Sequence, residues 1–253
     1  MSLPDILPLT GIPSGSIPPS VIVCGDPDRA KIIAQSFDNF ERLSYRREYH
    51  TYLGSYLGMP VSVCSHGIGA SGAAIAFEEI IAAGGRRIIR TGTCGSLQPG
   101  IQSGHLVVAT GAVANVGYVE ETVPKGYPAV ADPELTLALL QEAHRAGVDH
   151  TLGIVLTRDN FYAGVDPTGS PDYEMMSRAN VVAVEMECAA LFVIGSLRLV
   201  QTAAILAVDG NVLEGGGELM AEYRPREDSV VSAVEREIEI ALKALHKVNN
   251  VPG

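Results

Sequence analysis

Apolar residues fall in short blocks separated by polar, glycine-rich joints. Short, largely apolar runs at 21–24, 61–64, 86–89, 104–110, 153–157, 181–184 and 202–208 have the length of buried strands. The stretch 40–64 alternates polar and apolar positions, which predicts a hairpin of 49–56 and 61–64 around Leu57-Gly58-Met59-Pro60. Longer segments at 28–37, 73–83, 132–146, 188–197 and 228–248 predict helices. Asp26 with Pro27 and Asp132 with Pro133 are N-terminal caps followed by a proline suited to a first turn, and Gly147 closes the third helix. The last helix gathers Val230, Val231, Ala233, Val234, Ile238, Ile240, Ala241 and Leu245 on roughly one face.

Strands alternate with helices throughout, with no linker and no repeat. That predicts one three-layer α/β domain over 1–253, preceded by an irregular, proline-rich arm at 1–19. Composition agrees: 47% of the 253 residues are hydrophobic, enough for a large core, and 19% are charged, too few for disorder. The net charge of −11 argues against nucleic acid or an anionic membrane as partner, so an anion site here must be a local arginine cluster. No apolar run reaches the roughly 18–20 residues of a membrane span, and the first residues lack signal-peptide character. The four cysteines (Cys24, Cys64, Cys94 and Cys188) are far apart and form no C-x-x-C pair. Zinc and redox motifs are therefore absent, and a reduced, cytoplasmic protein is expected.

The chain is organised around Ile88-Ile89-Arg90-Thr91-Gly92-Thr93-Cys94-Gly95-Ser96-Leu97. An apolar strand runs into an arginine whose fork of donors suits phosphate. Two glycines then predict a tight turn that lets backbone approach a ligand. This is either a small-anion site at a sheet's carboxyl edge or an ordinary turn after a core strand. Val21–Cys24 followed by Gly25-Asp26-Pro27-Asp28-Arg29 repeats the theme, and Arg29 opposes the helix dipole unless an anion lies between them. Arg46 and Arg47 read as a solvated edge. Gly67, Gly69 and Gly72 satisfy G-x-G-x-x-G, but no acid follows for a nicotinamide ribose; Arg90 stands at that point. Glu185, Glu187 and Asp209 end apolar strands. They are either helix caps or, in an apolar site, acids of raised pKa fit for proton transfer. Asp209 precedes Gly210 rather than a helix, which makes a cap less natural.

Six runs in order resemble the purine nucleoside/uridine phosphorylase superfamily. They are Val23-Cys24-Gly25-Asp26-Pro27-Asp28-Arg29, Arg47-Glu48-Tyr49, Ser65-His66-Gly67-Ile68-Gly69, the Ile89–Leu97 stretch, Val184-Glu185-Met186-Glu187 and Ile205-Leu206-Ala207-Val208-Asp209-Gly210. The resemblance spans about 15–245 and is nearest to purine nucleoside phosphorylases of apicomplexan type. It implies an α/β/α sandwich around a mixed, twisted sheet, and phosphorolysis of ribonucleosides to base and ribose 1-phosphate. Phosphate would be held by Gly25, Arg29, Arg90 and Thr93, with Arg47 reaching in from a neighbouring subunit. Glu187, Met186 and Thr93 would hold the ribose. Cys94, Gly95, Phe161 and Val184 would flank the base. Asp209 would protonate the leaving base, and Arg90 would stabilise the reacting phosphate. The resemblance also implies no cofactor or metal, inorganic phosphate as co-substrate, and a homo-oligomer, at least a dimer and by family pattern a hexamer.

Uridine phosphorylases of the family carry a Gln and an Arg after the Phe-Tyr pair and lack the acid at Asp209. Residues 161–167 hold neither Gln nor Arg, which favours purines over uridine as the substrate. The chain departs from the family in two places. The arm at 6–12 has no His to reach a neighbour's 5′-hydroxyl, which leaves room for a 5′-modified ribose. The loop at 214–218 has no Trp. A hydrolytic nucleosidase would lack the three arginines, and a non-catalytic binding protein would have lost Asp209 or Glu187.

Overall fold

The computed structural model describes residues 4–162, 171–213 and 227–250. The expected loop at 164–172 lies largely outside these residues, and the glycine loop at 215–217 lies wholly outside them.

Among the described residues, ten strands form one sheet: β1 (Ser20–Cys24), β2 (Asn39–Arg46), β3 (Tyr49–Tyr56), β4 (Met59–Ser65), β5 (Arg87–Ser96), β6 (Leu106–Asn115), β7 (Ala129–Val130), β8 (His150–Arg158), β9 (Val181–Glu185) and β10 (Gln201–Asn211). The helices are α1 (Pro27–Gln35), α2 (Ala70–Ala82), α3 (Gly117–Thr122), α4 (Pro133–Ala146), α5 (Tyr173–Arg178), α6 (Cys188–Arg198) and α7 (Asp228–Asn249). Asp26 and Asp132 cap α1 and α4 as expected, and Gly147 takes the left-handed conformation that ends α4. The short α3, α5 and β7 escaped the apolar pattern. So did β2, whose mostly exposed residues bury little.

Strand alternation splits the core in two. Ile22, Ile89, Val108 and Ile205 pack with Ile33, Leu139 and Leu245 of α1, α4 and α7. Val21, Val23, Ile88 and Val107 pack with Phe77, Ile80, Leu191 and Phe192 of α2 and α6. Helices thus cover both faces, as the three-layer expectation requires.

β5 is the hub. It runs parallel to β10 along its whole length. Its other edge changes partner: β1 pairs in parallel as far as Arg90, and β9 pairs antiparallel from Gly95. Because β10 also pairs with β6, and β6, β8 and β9 continue the ladder back to β5, these five strands close on themselves. On that second edge, between the end of β1 and the start of β9, residues 91–94 of β5 have no strand partner among the described residues. This is a topological switch point, the place where open α/β sheets bind ligands.

The expected glycine turn after Arg90 is a correction. β5 continues through Ser96, and neither Gly92 nor Gly95 has a positive φ. The glycines serve a different purpose, seen in the site.

Candidate active site

Arg90 stands on β5 at the edge of the split, 4% exposed. Its guanidinium lies back over Gly92, where a β-carbon would come within 2.6 Å of it. Gly92 is therefore a space requirement of the arginine. Arg90 Nη2 donates to Glu187 Oε2 at 2.5 Å and lies 3.4 Å from Glu185 Oε2; Nη1 lies 3.4 Å from His66 Nε2. Its Nε is buried with no hydrogen-bond partner. Burial holds His66 neutral, its pKa well below the ordinary value, and Arg90 pushes the same way.

The question of which acid caps α6 is settled by hydrogen bonds. Glu185 Oε2 accepts from the backbone N–H of Glu187 at 2.7 Å and of Cys188 at 2.9 Å, while its Oε1 accepts from Thr157 Oγ1 at 2.5 Å. Glu187 occupies the cap position without capping. Its carboxylate is left for Arg90 and for the backbone N–H of Gly69, which donates at 2.6 Å. Gly69 has φ +96°, a region that favours glycine. The middle glycine of the G-x-G-x-x-G run thus orients an acid rather than a dinucleotide. Burial raises the pKa of Glu187, and the ion pair with Arg90 pulls it back.

On the other side of the split, the Gly67 amide donates to Gly25 O at 3.0 Å, so the glycine joints after β4 and β1 are tied together. Arg29, in the first turn of α1, has its Nη1 3.8 Å from Glu237 Oε1 of α7. Its place against the helix dipole was expected to call for a bound anion. A buried carboxylate of this chain already faces it. The α1 N-terminus is also capped from within, since the Asp26 side chain accepts from the Asp28 amide at 2.8 Å.

Gly95 pairs with Val184 across β5 and β9, and a β-carbon on Gly95 would press on Val212 at 2.6 Å. Val184 and Val212 belong to a small apolar cluster with Leu97, Leu156 and Tyr173. Cys94 is buried, and burial, with nearby Asp209, holds its thiol well above the ordinary pKa. A β-bulge falls at Asp209: the register against β5 shifts between Val208, which pairs with Cys94, and Gly210, which pairs with Gly95. Bulges re-aim side chains beside active sites. Met186 is half-buried between Glu185 and Glu187.

Not everything converges. Alternation along β5 puts Thr93 on the face opposite Arg90. Arg47 is exposed, with φ 51°, at the turn between β2 and β3. Phe161 is 52% exposed, its ring edge-on to Tyr162. A cavity of about 600 Å³ lined by Ser71, Glu78, Glu79 and Tyr118 lies apart from this cluster. Sequence reasoning missed Glu237 and Val212 as parts of this surrounding. Glu237 had a signal: it interrupts the apolar face of α7, three or four residues from Ala233, Val234 and Ala241.

Residues 19–246 match the family model described as "Phosphorylase superfamily", and the chain belongs to that family. It is 40% identical over 242 residues to a uridine phosphorylase of Treponema pallidum, covering 93% of this chain and 91% of that one. It is 40% identical over 194 residues to a purine nucleoside phosphorylase of Plasmodium vivax, covering 76% and 78%. The structure superposes with a TM-score of 0.90 on a purine nucleoside phosphorylase of Toxoplasma gondii in complex with immucillin-H, at 32% identity and 98% coverage of both chains. No helix of the described residues is long and apolar enough to cross a membrane.

Proposed function

We propose that the protein is a nucleoside phosphorylase acting on purine ribonucleosides such as inosine or guanosine. The observation that carries the reading is the split in β5, with Arg90 and its Glu187 partner on one side and Asp209 bulged out at its far end. Phosphate enters between Gly25, Arg29 and Arg90, and the orphaned Arg90 Nε is a donor suited to one of its oxygens. Glu187 accepts from the ribose hydroxyls above Met186. The base lies against Cys94, Gly95 and Val184, with Phe161 alongside.

A phosphate oxygen bonds to C1′ as the C1′–N bond breaks, and the bonding pair departs with the base. Arg90 and Arg29 stabilise the phosphate charge. Asp209, carrying a proton, gives it to the leaving base, a contribution of about 100- to 10,000-fold in rate. Arg47 completes the site from a neighbouring subunit of a homo-oligomer, at least a dimer and by family pattern a hexamer; its exposed place on a hairpin turn suits that delivery. No cofactor enters the reaction, and the setting is the cytoplasm.

Uridine is the second reading, favoured by the likeness to the Treponema protein over nearly the whole chain. Inosine, guanosine, adenosine, methylthioadenosine and uridine, each assayed with and without phosphate, test both. Base release that depends on phosphate and yields ribose 1-phosphate is expected, fastest with inosine or guanosine. Equal release without phosphate sinks the phosphorylase reading, and turnover of uridine alone sinks the purine one. Asp209→Asn is expected to lower purine turnover by about 100-fold or more.

A further inference from the structure

Glu237 is a carboxylate that the reaction above does not use. It sits among Ala233, Ile238, Ile240 and Ala241 on the buried side of α7 and is fully enclosed. Neither of its oxygens has a hydrogen-bond partner of ordinary geometry, although the backbone N–H groups of Gly92 on β5 and Ala207 on β10 are close. An isolated buried carboxylate is costly, and an apolar residue would suit this face of the helix better.

Its surroundings are lopsided in charge. Arg29 faces it from α1, at 3.8 Å, and Arg90 acts on it from β5. β1 ends nearby in Cys24, a thiol that burial keeps neutral. β10 carries Asp209 two residues past Ala207. From α4, Glu142 pairs with Arg145 and Lys247 toward the far end of α7, and Arg236, Glu239 and Lys243 pair with one another at the surface. Around the split, the carboxylates Glu185, Glu187 and Glu237 outnumber the guanidiniums Arg29 and Arg90. With all of them ionised, an incoming dianion meets an excess of negative charge. A proton on Glu237 removes that excess.

We propose that Glu237 is a positioning residue of the anion site: when neutral it leaves Arg29 to the bound phosphate, and when ionised it holds Arg29 to itself and weakens binding. The inference rests on the phosphate site proposed above. Burial pushes the Glu237 carboxyl up to about 8, against which Arg29 and Arg90 pull down, so the change falls close to neutral pH.

Sulfate is the probe, because it stays a dianion across the pH range in which phosphate itself titrates. Its affinity for the wild-type protein is expected to fall about tenfold between pH 7 and pH 9, the loss set by the protonated fraction of one such group. Glu237→Gln, uncharged and of the same shape, should bind with nearly constant affinity over that range and match wild type at pH 7. An unchanged pH dependence in Glu237→Gln overturns the inference, as does a flat profile in a wild type that binds well. A wild type that binds no sulfate at any pH removes the anion site itself. If the variant does not fold, calorimetry of wild type at pH 8 in two buffers of different ionisation enthalpy replaces it. Proton uptake on sulfate binding supports the inference, and none refutes it.

Discussion

A β-carbon on Gly92 would stand 2.6 Å from Nη1 of Arg90 and 2.9 Å from its Cζ and Nη2. The glycine is the bed on which the guanidinium lies while Glu187 holds its other end. Gly92→Ala is therefore expected to displace Arg90 and break its 2.5 Å contact with Glu187. Overpacking of this kind costs about 1–3 kcal/mol of stability. Turnover should fall further than stability suggests, by about tenfold or more, since a small misplacement of a positioning group is expensive in rate. Steady-state kinetics beside urea unfolding checks this, and wild-type kinetics would contradict the placement of Arg90 in the site.

Glu185 reaches no substrate in the proposed site, yet four donors converge on it: Thr157 Oγ1, the amides of Glu187 and Cys188 and, at 3.4 Å, Arg90 Nη2. Glu185→Gln keeps the volume but turns an NH₂ group toward donors. A loss of about 1–3 kcal/mol is expected for the unsatisfied groups. The start of α6 should loosen, and with it the aim of Glu187, so turnover falls too. Glu187→Gln should show the converse balance, a larger loss of turnover for a smaller loss of stability. Parallel unfolding and kinetic measurements on the two variants separate a cap from a ligand; identical profiles would erase the distinction.

His66 gives the protein an acid limb. The folded ring resists protonation because burial and then Arg90 disfavour its charge, whereas the unfolded chain takes a proton near pH 6.5. Above that pH neither state is charged and nothing is lost. Below it the unfolded state binds the extra proton, and stability falls as pH falls, by up to about 1.4 kcal/mol per pH unit. Glu237 has the opposite sign. Its carboxyl, raised to about 8, keeps a proton in the folded state that the unfolded chain has lost, so stability falls as pH rises toward that value. Chemical unfolding of wild type and His66→Asn at pH 7, 6 and 5 isolates the first effect. The difference between the two should shrink as pH drops; a constant difference means that His66 does not set the acid limb.

Much of this molecule is written locally. The caps Asp26 and Asp132, the closing Gly147, the period-two stretch before β4 and the apolar runs each depend on neighbours a few residues away, and these elements stand where the pattern predicts them. Short or exposed elements such as α3 and β2 carry too little apolar periodicity to register. The candidate residues were legible as types: an arginine after an apolar strand, acids where strands end, glycines at the joints. Their relations were not. Glu185 and Glu187 are two residues apart and equal on paper; Thr157 and Gly69, distant in the chain, decide which one caps and which faces Arg90. The glycines after Arg90 read as a turn because a sequence shows flexibility but not the guanidinium that needs the room. Asp209 became a bulged residue only through its register against Cys94 and Gly95. Arg29 appeared to await an anion until α7, two hundred residues later, laid Glu237 beside it. The layers, the helix ends and the stock of chemical groups can be read along the chain, because they follow from local sterics and burial. Tertiary structure alone decided which charges meet, since ion pairing and desolvation depend on distances that only the closed sheet sets.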